Sequence, residues 1–239
     1  MNVAIIGYGK LGQKISDLID LDPALDLVLK INSKNLNEFN AEGMEKVDIA
    51  IELSGPDYAY ANLSRLAEFK IPTVCGSTGW TEKLKEIEGK FREQETSFLY
   101  ASNFSLGMNI FFEINKRLSH LMNGKDFEAK IKEVHHIHKL DSPSGTSLTI
   151  ANDLIDNHDQ YESWKLSNEK TLQTELEINA ERRGEVKGDH SVVYKSKFET
   201  LSLNHSASDR AVFAEGALAA AKYIYQKNGI FSMNDVIGI

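Results

Sequence analysis

The strongest constraint on the fold sits at the start of the chain, where "NVAIIG" runs into "GYGKLG" (7–12). A continuous apolar run ending in glycine reads as a buried strand, and Leu11, Ile15, Leu18 and Ile19 at helical spacing read as the helix it feeds. The glycines between them have the spacing G-x-G-x-x-G, the fingerprint of a dinucleotide-binding turn. Gly7 permits the tight turn, Gly9 lets backbone approach a pyrophosphate, and Gly12 allows close helix packing. The helix start then offers free N–H groups and a positive dipole end to phosphates. The plainer alternative is a glycine turn that only joins strand to helix; the strand-turn-helix context favours the nucleotide site.

The next hundred or so residues repeat the alternation. "LDLVLKI" (25–31), "VDIAIEL" (47–53), "IPTVCG" (71–76) and "TSFLYAS" (96–102) read as strands. Between them, "YAYANLSRLAEF" (58–69) and "TEKLKEIEGKFREQ" (81–94) read as amphipathic helices. Such alternation predicts a parallel sheet covered on both faces, an α/β, Rossmann-like dinucleotide-binding domain.

After Asn103 the character changes. A helix over 105–122 leads into "FEAKIKEVHHIHK" (127–139), read as one strand with Phe127, Ala129, Ile131 and Ile137 on one face. A helix from Ser147 to about Asn157 should come next, then strands within 172–186, 189–198 and 198–207, forming a mixed or antiparallel sheet. "AEGALAAAKYIYQKNG" (214–229) reads as a buried helix ended by Asn228-Gly229.

Composition excludes several partners. The formal charge of −8 over 239 residues, without a Lys/Arg block, argues against nucleic acid. The single cysteine, Cys75, forbids an internal disulfide and reads as a small core residue in a protein of a reducing compartment. No basic leader and no membrane-length apolar run are present, so a cytoplasmic protein is expected, with no membrane partner.

The fingerprint lacks one part. The second strand should end in an acid for the ribose hydroxyls, yet "VLKINSK" ends in Asn32, Ser33 and Lys34, which would tolerate a 2′-phosphate. Both NADH and NADPH are therefore open. In an open parallel sheet the carboxyl ends of strands line the ligand crevice, which would bring "CGSTGW" (75–80) and "ASNFSLG" (101–107) near the nicotinamide half. Ordinary turn chemistry would also explain their Ser, Thr, Asn and Gly.

The stretch "EVHHIHKLDSPSGTS" (133–147) carries the most chemistry. On a strand, Glu133, His135, Ile137 and Lys139 would share a face, with His136 and His138 opposite. After the turn at 141–143, Ser144, Gly145 and Thr146 would begin a helix and present N–H and hydroxyl groups to an anion. Strand end and helix start together would supply acids and a carboxylate cradle. Alternating histidines divide between faces and have no nearby Cys, so no metal site is expected; an N-cap role for Ser144 remains open.

At these residues the chain resembles the 4-hydroxy-tetrahydrodipicolinate reductases of bacterial lysine and diaminopimelate biosynthesis. Glu133, His135, His136, Lys139, Asp141, Pro143, Ser144, Gly145 and Thr146 match a signature of the form E-x-H-H-x-x-K-x-D-x-P-S-G-T. "GYGKLG", "CGSTGW", "ASNFSLGMN", "RRGEVKGDH" (182–190) and "FAEGALAAAKYI" (213–224) extend the likeness over nearly all of the chain, with 158–181 the least similar part.

The resemblance implies His135 as proton donor or acceptor and Lys139 as a second donor, with His136, Ser144, Gly145 and Thr146 binding the carboxylates of a cyclic imine dicarboxylate. It implies cofactor contacts at Gly7, Tyr8, Gly9, Lys10, Leu11 and Gly12, at Gly76, Ser77 and Thr78, and at Ala101, Ser102, Asn103 and Phe104. It further implies a dinucleotide-binding domain of residues 1–103 plus 215–239, an inserted α+β substrate-binding and oligomerisation domain of 104–214, and a homotetramer. Asn32 and Glu52-Leu53 depart from the family pattern, which often has an acid at the first place and Asp-Phe at the second.

On that reading the reductant is NADH or NADPH and an imidazole protonates the reduced substrate, its pKa lying near neutrality. Two rivals are another two-domain dehydrogenase of the aspartate or homoserine type, and an NAD(P)H-sensing regulator without chemistry. The second gives no reason for His135 beside Lys139.

Overall fold

A computed structural model describes residues 1–168 and 172–239; of the segment 158–181, residues 169–171 lie outside the described residues. In chain order the elements are β1 (Asn2–Ile6), α1 (Lys10–Ile19), β2 (Asp26–Ile31), α2 (Ala41–Met44), β3 (Ile49–Glu52), α3 (Pro56–Glu68), β4 (Thr73–Cys75), α4 (Leu84–Glu93) and β5 (Ser97–Tyr100). They continue with α5 (Leu106–Met122), β6 (Glu128–His135), α6 (Gly145–Ile155), β7 (Ser163–Leu166), β8 (Glu175–Arg182), β9 (Asp189–Lys195) and β10 (Thr200–Ser206). The chain closes with α7 (Ala211–Ile224), β11 (Gly229–Phe231) and α8 (Met233–Ile237). Two compact units result, Met1–Leu106 with Arg210–Ile239, and Gly107–Asp209.

The first unit is a six-stranded parallel sheet in the order β11-β5-β4-β3-β1-β2. Its inner strands β1, β3, β4 and β5 are buried on both faces and read as near-continuous apolar runs, whereas edge strand β2 exposes Asp26, Val28 and Lys30. Ile5, Ile51, Val74 and Leu99 pack on one side with Ile15 of α1 and Ala217 of α7. Ala4, Ile6, Ala50 and Phe98 pack on the other with Leu63 of α3 and Phe91 of α4. Strand order reverses beside β1, since β2 lies on one side of it and β3 on the other. The 7–12 turn therefore sits at a topological switch point, where α/β sheets of this kind take up their ligands.

The second unit has a mixed sheet in the order β10-β9-β6-β8-β7, antiparallel on the β9 side of β6 and parallel on the β8 side. Ala129 and Ile131 point to the core, where Met108 and Phe111 of α5 and Ile150 and Leu154 of α6 cover them. Lys130 and Lys132 point out. Two side chains of α5 fix α6 in place: Asn115 Nδ2 donates to the Ile150 carbonyl at 3.1 Å, and Ser119 Oγ to the Leu154 carbonyl at 2.9 Å.

Three expectations need correction. The strand read over 127–139 ends at His135, because its neighbours run out: β8 pairs no further than Arg182 and β9 begins at Asp189. Ile137 is accordingly 61% exposed rather than in the core. The helix read over 214–229 ends at Ile224; Gln226 turns the chain at φ 60, and Gly229 opens β11, which completes the sheet edge against β5. The helix drawn from Ser147 begins at Gly145 with Ser144 as N-cap, which agrees with the reading of 144–146 as its start rather than with the later one. Strands β7 and β11 and helix α8 are additions that the sequence pattern does not announce.

Two glycines of helices give a contrast to measure. A Cβ on Gly216 of α7 would lie 1.8 Å from the Phe104 carbonyl oxygen, whereas one on Gly89 of α4 would meet nothing within 4 Å. Gly216→Ala should lower stability by ~1–3 kcal/mol or prevent folding, and Gly89→Ala should raise it by ~0.5–1 kcal/mol, both read by urea unfolding.

Candidate active site

The core side of β6 places Ala129, Ile131, Glu133 and His135 in period two, so the last two carry polar chemistry where the first two carry packing. Glu133 is fully buried. Its carboxylate accepts from the Ser144 N–H at 3.2 Å, from Ser147 Oγ at 2.7 Å and from Arg182 Nη2 at 3.0 Å. Burial pushes the carboxyl pKa up, but the Ser144 and Ser147 donors, His135 and the Arg182 guanidinium outweigh it and hold the group below the usual range.

His135 Nδ1 is buried and has no partner at ordinary hydrogen-bond distance; the nearest acceptor is Glu133 Oε2, 3.5 Å away. Burial lowers the pKa of this imidazole, and Glu133 opposes that shift while Lys139 and Arg182 add to it. On its other edge, Nε2 would lie 3.3 Å from a Cβ at Gly188, whose φ of 150° also disfavours a side chain. Gly188 keeps that nitrogen uncovered.

His190 packs edge-on against His135, ring centroids 5.0 Å apart, and its Nδ1 lies 3.3 Å from Ser147 Oγ. Since the serine proton goes to the carboxylate, its oxygen accepts from His190 Nδ1–H, which assigns the tautomer. Burial, helped by His135, pushes the His190 pKa down to about 4. Among the described residues Glu133, His135 and His190 are a group whose ligand atoms lie within 4.8 Å of one another. The carboxylate is already occupied by the Ser144 N–H, Ser147 Oγ and Arg182, and Ser147 links it to His190, with His135 beside that chain.

Lys139 lies beyond the strand, in a turn closed by its N–H on the His136 carbonyl at 3.2 Å. Its ammonium sits on Asp141, at 2.8 and 2.9 Å from the two oxygens. Burial raises the Asp141 carboxyl, but that ammonium and then Arg182 hold it low. The same Arg182 guanidinium donates to the carbonyls of Lys139 at 3.4 Å and Asp141 at 2.5 Å. His135 and Lys139 are thus brought together by Arg182 and Glu133, not by sharing a strand face. His136 is half-buried with its ring 6.1 Å from that of His138, which is exposed and 3.6 Å from Glu185.

The start of α6 is built as an anion site should be. Ser144 Oγ accepts from the Ser147 N–H at 3.2 Å, and the Gly145 amide lies at the first turn, where a helix has no acceptor of its own. Gly145 is exposed, and a Cβ there would meet no protein atom within 4 Å.

In the first unit, a cleft of about 380 Å³ is lined by Gly7, Tyr8, Gly9, Asn32, Ser33 and Ser54 among others. Gly7 has φ 100 and its missing Cβ would lie 2.5 Å from backbone of Leu53 and Ser54; a Cβ on Gly12 would lie 2.8 Å from the Gly7 carbonyl oxygen. Gly9 is the N-cap of α1 with no side-chain cap, and its Cβ would meet no protein atom. Packing explains the first and third glycines and a ligand explains the second, so this turn with the amides of Lys10, Leu11 and Gly12 fits a dinucleotide pyrophosphate.

The other predicted contacts end β4 and β5. Ser77 Oγ accepts from the Gly55 N–H at 2.9 Å, and a Cβ on Gly76 would lie 2.6 Å from the Phe104 ring. Ala101 and Phe104 are core residues, so only their backbone is open to a cofactor, while Thr78 and Ser102 are exposed and Asn103 Oδ1 accepts from the Ser105 N–H at 2.9 Å. Cys75 is buried, and burial followed by Glu52 pushes its thiol well above the ordinary value. Arg182, Gly188, His190 and Ser147 have no role that sequence reasoning alone assigns; "RRGEVKGDH" is a visible signal for three of them.

Comparison with known proteins points the same way over the whole chain. The profile described as "Dihydrodipicolinate reductase, N-terminus" matches residues 1–104, and its C-terminal counterpart matches 107–237. The 4-hydroxy-tetrahydrodipicolinate reductase of Christiangramia forsetii is 37% identical over 241 residues, covering 99% of this chain and 98% of its own. That of Pelagibacter ubique is 32% identical over 254 residues, covering 99% and 98%. In fold, the chain is similar to the dipicolinate-bound dihydrodipicolinate reductase of Paenisporosarcina sp. TG-14, with TM-score 0.80, 19% identity and 97% of each chain covered. It is also similar to the C. glutamicum DAP dehydrogenase in complex with DAP, with TM-score 0.56, 14% identity and 99% and 95% covered.

The depressed His190 sets a pH dependence. Its folded pKa of about 4 lies below the unfolded value, so between the two the unfolded chain binds the extra proton and stability is lost as pH falls. Urea unfolding at pH 5 and pH 7 should differ by on the order of 1–2 kcal/mol from this residue, and His190→Gln should reduce the difference.

Proposed function

The chain belongs to the dihydrodipicolinate reductase family, and we propose that it performs its reaction with His135 and Lys139 as proton donors and with the start of α6 as the carboxylate cradle. The reaction is the NAD(P)H-dependent reduction of 4-hydroxy-tetrahydrodipicolinate, with loss of water, in lysine and diaminopimelate biosynthesis. What supports the assignment most is that one buried carboxylate, Glu133, lies against both His135 and the Ser144 N–H.

NAD(P)H, when bound, supplies the hydride. The 7–12 turn holds its pyrophosphate, and the ends of β4 and β5, at Gly76, Ser77, Thr78 and 101–104, take its nicotinamide half. Asn32 and Ser33 stand at the ribose end of the same cleft without a carboxylate, so either coenzyme is admitted.

In the second unit, Ser144, Gly145, Thr146 and His136 bind the substrate carboxylates. Reduction of a conjugated imine leaves a carbon that must take up a proton, and His135 gives it from Nε2, the edge that Gly188 leaves uncovered. The Lys139 ammonium offsets the charge of the dicarboxylate and is the second proton donor, to the 4-hydroxyl as it leaves as water, the proton lost from the adjoining ring carbon keeping the balance. Asp141 and Arg182 hold that lysine in place. The protein acts in the cytoplasm as a homotetramer, whose mass in solution light scattering would give.

NADH and NADPH oxidation, followed by absorbance with substrate made in place from pyruvate and aspartate semialdehyde by a condensing enzyme, tests the reading. Turnover should require the condensing enzyme, and His135→Gln should lower kcat by ~10² or more with substrate still bound. Full turnover by that variant would remove His135 from the role, and turnover on a semialdehyde alone would move the protein to another dehydrogenase type.

A further inference from the structure

Glu133 sits where three parts of the second unit meet. It is on β6 two residues before His135, it accepts from the first residue of the α6 cap and from Ser147, and it is paired with Arg182 of β8, which also grips the carbonyls of Lys139 and Asp141. The buried Nδ1 of His135 has this carboxylate as its nearest acceptor, at 3.5 Å.

We propose that Glu133 is a positioning residue of the reductase: its ionised carboxylate holds His135 as the Nδ1–H tautomer, so that Nε2 faces the Gly188 side, and ties this proton donor to the anion-binding turn of α6. The proposal rests on the reading of His135 as the proton donor and adds how it is aimed. The separation of 3.5 Å is long for the bond, as such contacts often are before substrate binds.

The charge balance around the imidazole supports the same role. The groups that face it are Glu133 on its own strand, Lys139 and Asp141 in the following turn, Arg182 on β8 and His190 on β9. Burial and the two cations disfavour the imidazolium, and Glu133 is the larger of the two anions that favour it. Arg182 and the two serines keep Glu133 charged, so they act on the histidine through it. Without Glu133 the imidazole would lose its main anionic neighbour and hold its proton only at lower pH.

The test reads the tautomer and titration of His135 by ¹⁵N–¹H NMR of the histidine rings in the full-length protein without substrate, the signal assigned by its loss in His135→Gln. In the wild type, neutral His135 should be the Nδ1–H tautomer. In Glu133→Gln its titration midpoint should move to lower pH, and Glu133→Asp should restore part of the shift. In the coupled assay, Glu133→Gln should lower kcat by ~10-fold or more, with the alkaline fall in rate moved to lower pH as the proton donor is lost earlier. A carboxylate that only braces the fold would lower rate or stability and leave tautomer and midpoint unmoved, which overturns the proposal. Wild-type His135 in the Nε2–H tautomer overturns it too, and decides the matter even where Glu133→Gln does not fold. Since the NMR readout needs no substrate, absence of wild-type turnover would sink the assigned reaction and the catalytic part of this inference, while the tautomer and midpoint still decide whether Glu133 aims the ring.

Discussion

The pair of buried Glu133 and half-buried Arg182 is the interaction on which the geometry of the second unit's candidate site depends. A carboxylate removed from water is costly unless hydrogen bonds and an opposite charge replace its hydration. Here two serine donors and a guanidinium do so, and each of them belongs to a different piece of chain: the cap of α6, its first turn, and β8. Satisfying one charge therefore fixes the helix start, the turn with Lys139 and the strand end with His135 relative to one another. Breaking such a pair by removing one partner costs several kcal/mol where replacing both can be neutral, so the arrangement supplies geometry more than stability.

The same logic accounts for His190. A second imidazole 5.0 Å from His135 would compete for protons if it could be charged. Its burial and the neighbouring imidazole push its pKa down to about 4, and its Nδ1 lies 3.3 Å from Ser147 Oγ, so it fills space and completes the hydrogen-bond chain to Glu133 without adding a cation near neutral pH. On the proposed reading, one protonatable ring is thereby left where the reaction uses one.

How much of this is legible in the sequence depends on how local each cause is. Strand-turn-helix at 7–12 is a local pattern, and so are the apolar runs of the parallel sheet, which is why both can be read directly. The end of β6 cannot, because a strand stops where its partners stop, and the partners β8 and β9 are distant in sequence. Period two carries on through Ile137 and Lys139 in the sequence while the ladder does not. In the site, the residues of 133–146 are visible because one short stretch concentrates them, whereas Arg182, Gly188 and His190 act across the sheet. Arg182 in particular looks like any surface arginine until β8 pairs with β6 and sets it beside Glu133. The Asn228-Gly229 ending fails for the same reason, since the edge of the first sheet has a use for Gly229 that the helix pattern cannot show.

At the ribose end of the cofactor cleft, local and distant causes also part. Asn32 replaces the acid that rewards a ribose diol, and its Oδ1 already accepts from the Lys34 N–H at 2.9 Å, while its own N–H donates to Asn35 Oδ1 at 2.9 Å. The side chain is therefore spent on shaping the loop after β2. None of the residues lining that cleft is acidic, so no charge there opposes a 2′-phosphate. An acid at this point gains affinity for one coenzyme by repelling the other; without it, only exposed polar groups such as Ser33 stand there, where water screens charge and differences in binding energy are small. On the proposed reading, the part that all nicotinamide dinucleotides share meets the 7–12 turn, whose backbone is fixed by close packing at Gly7 and Gly12, and the part by which they differ meets a soft, solvated edge.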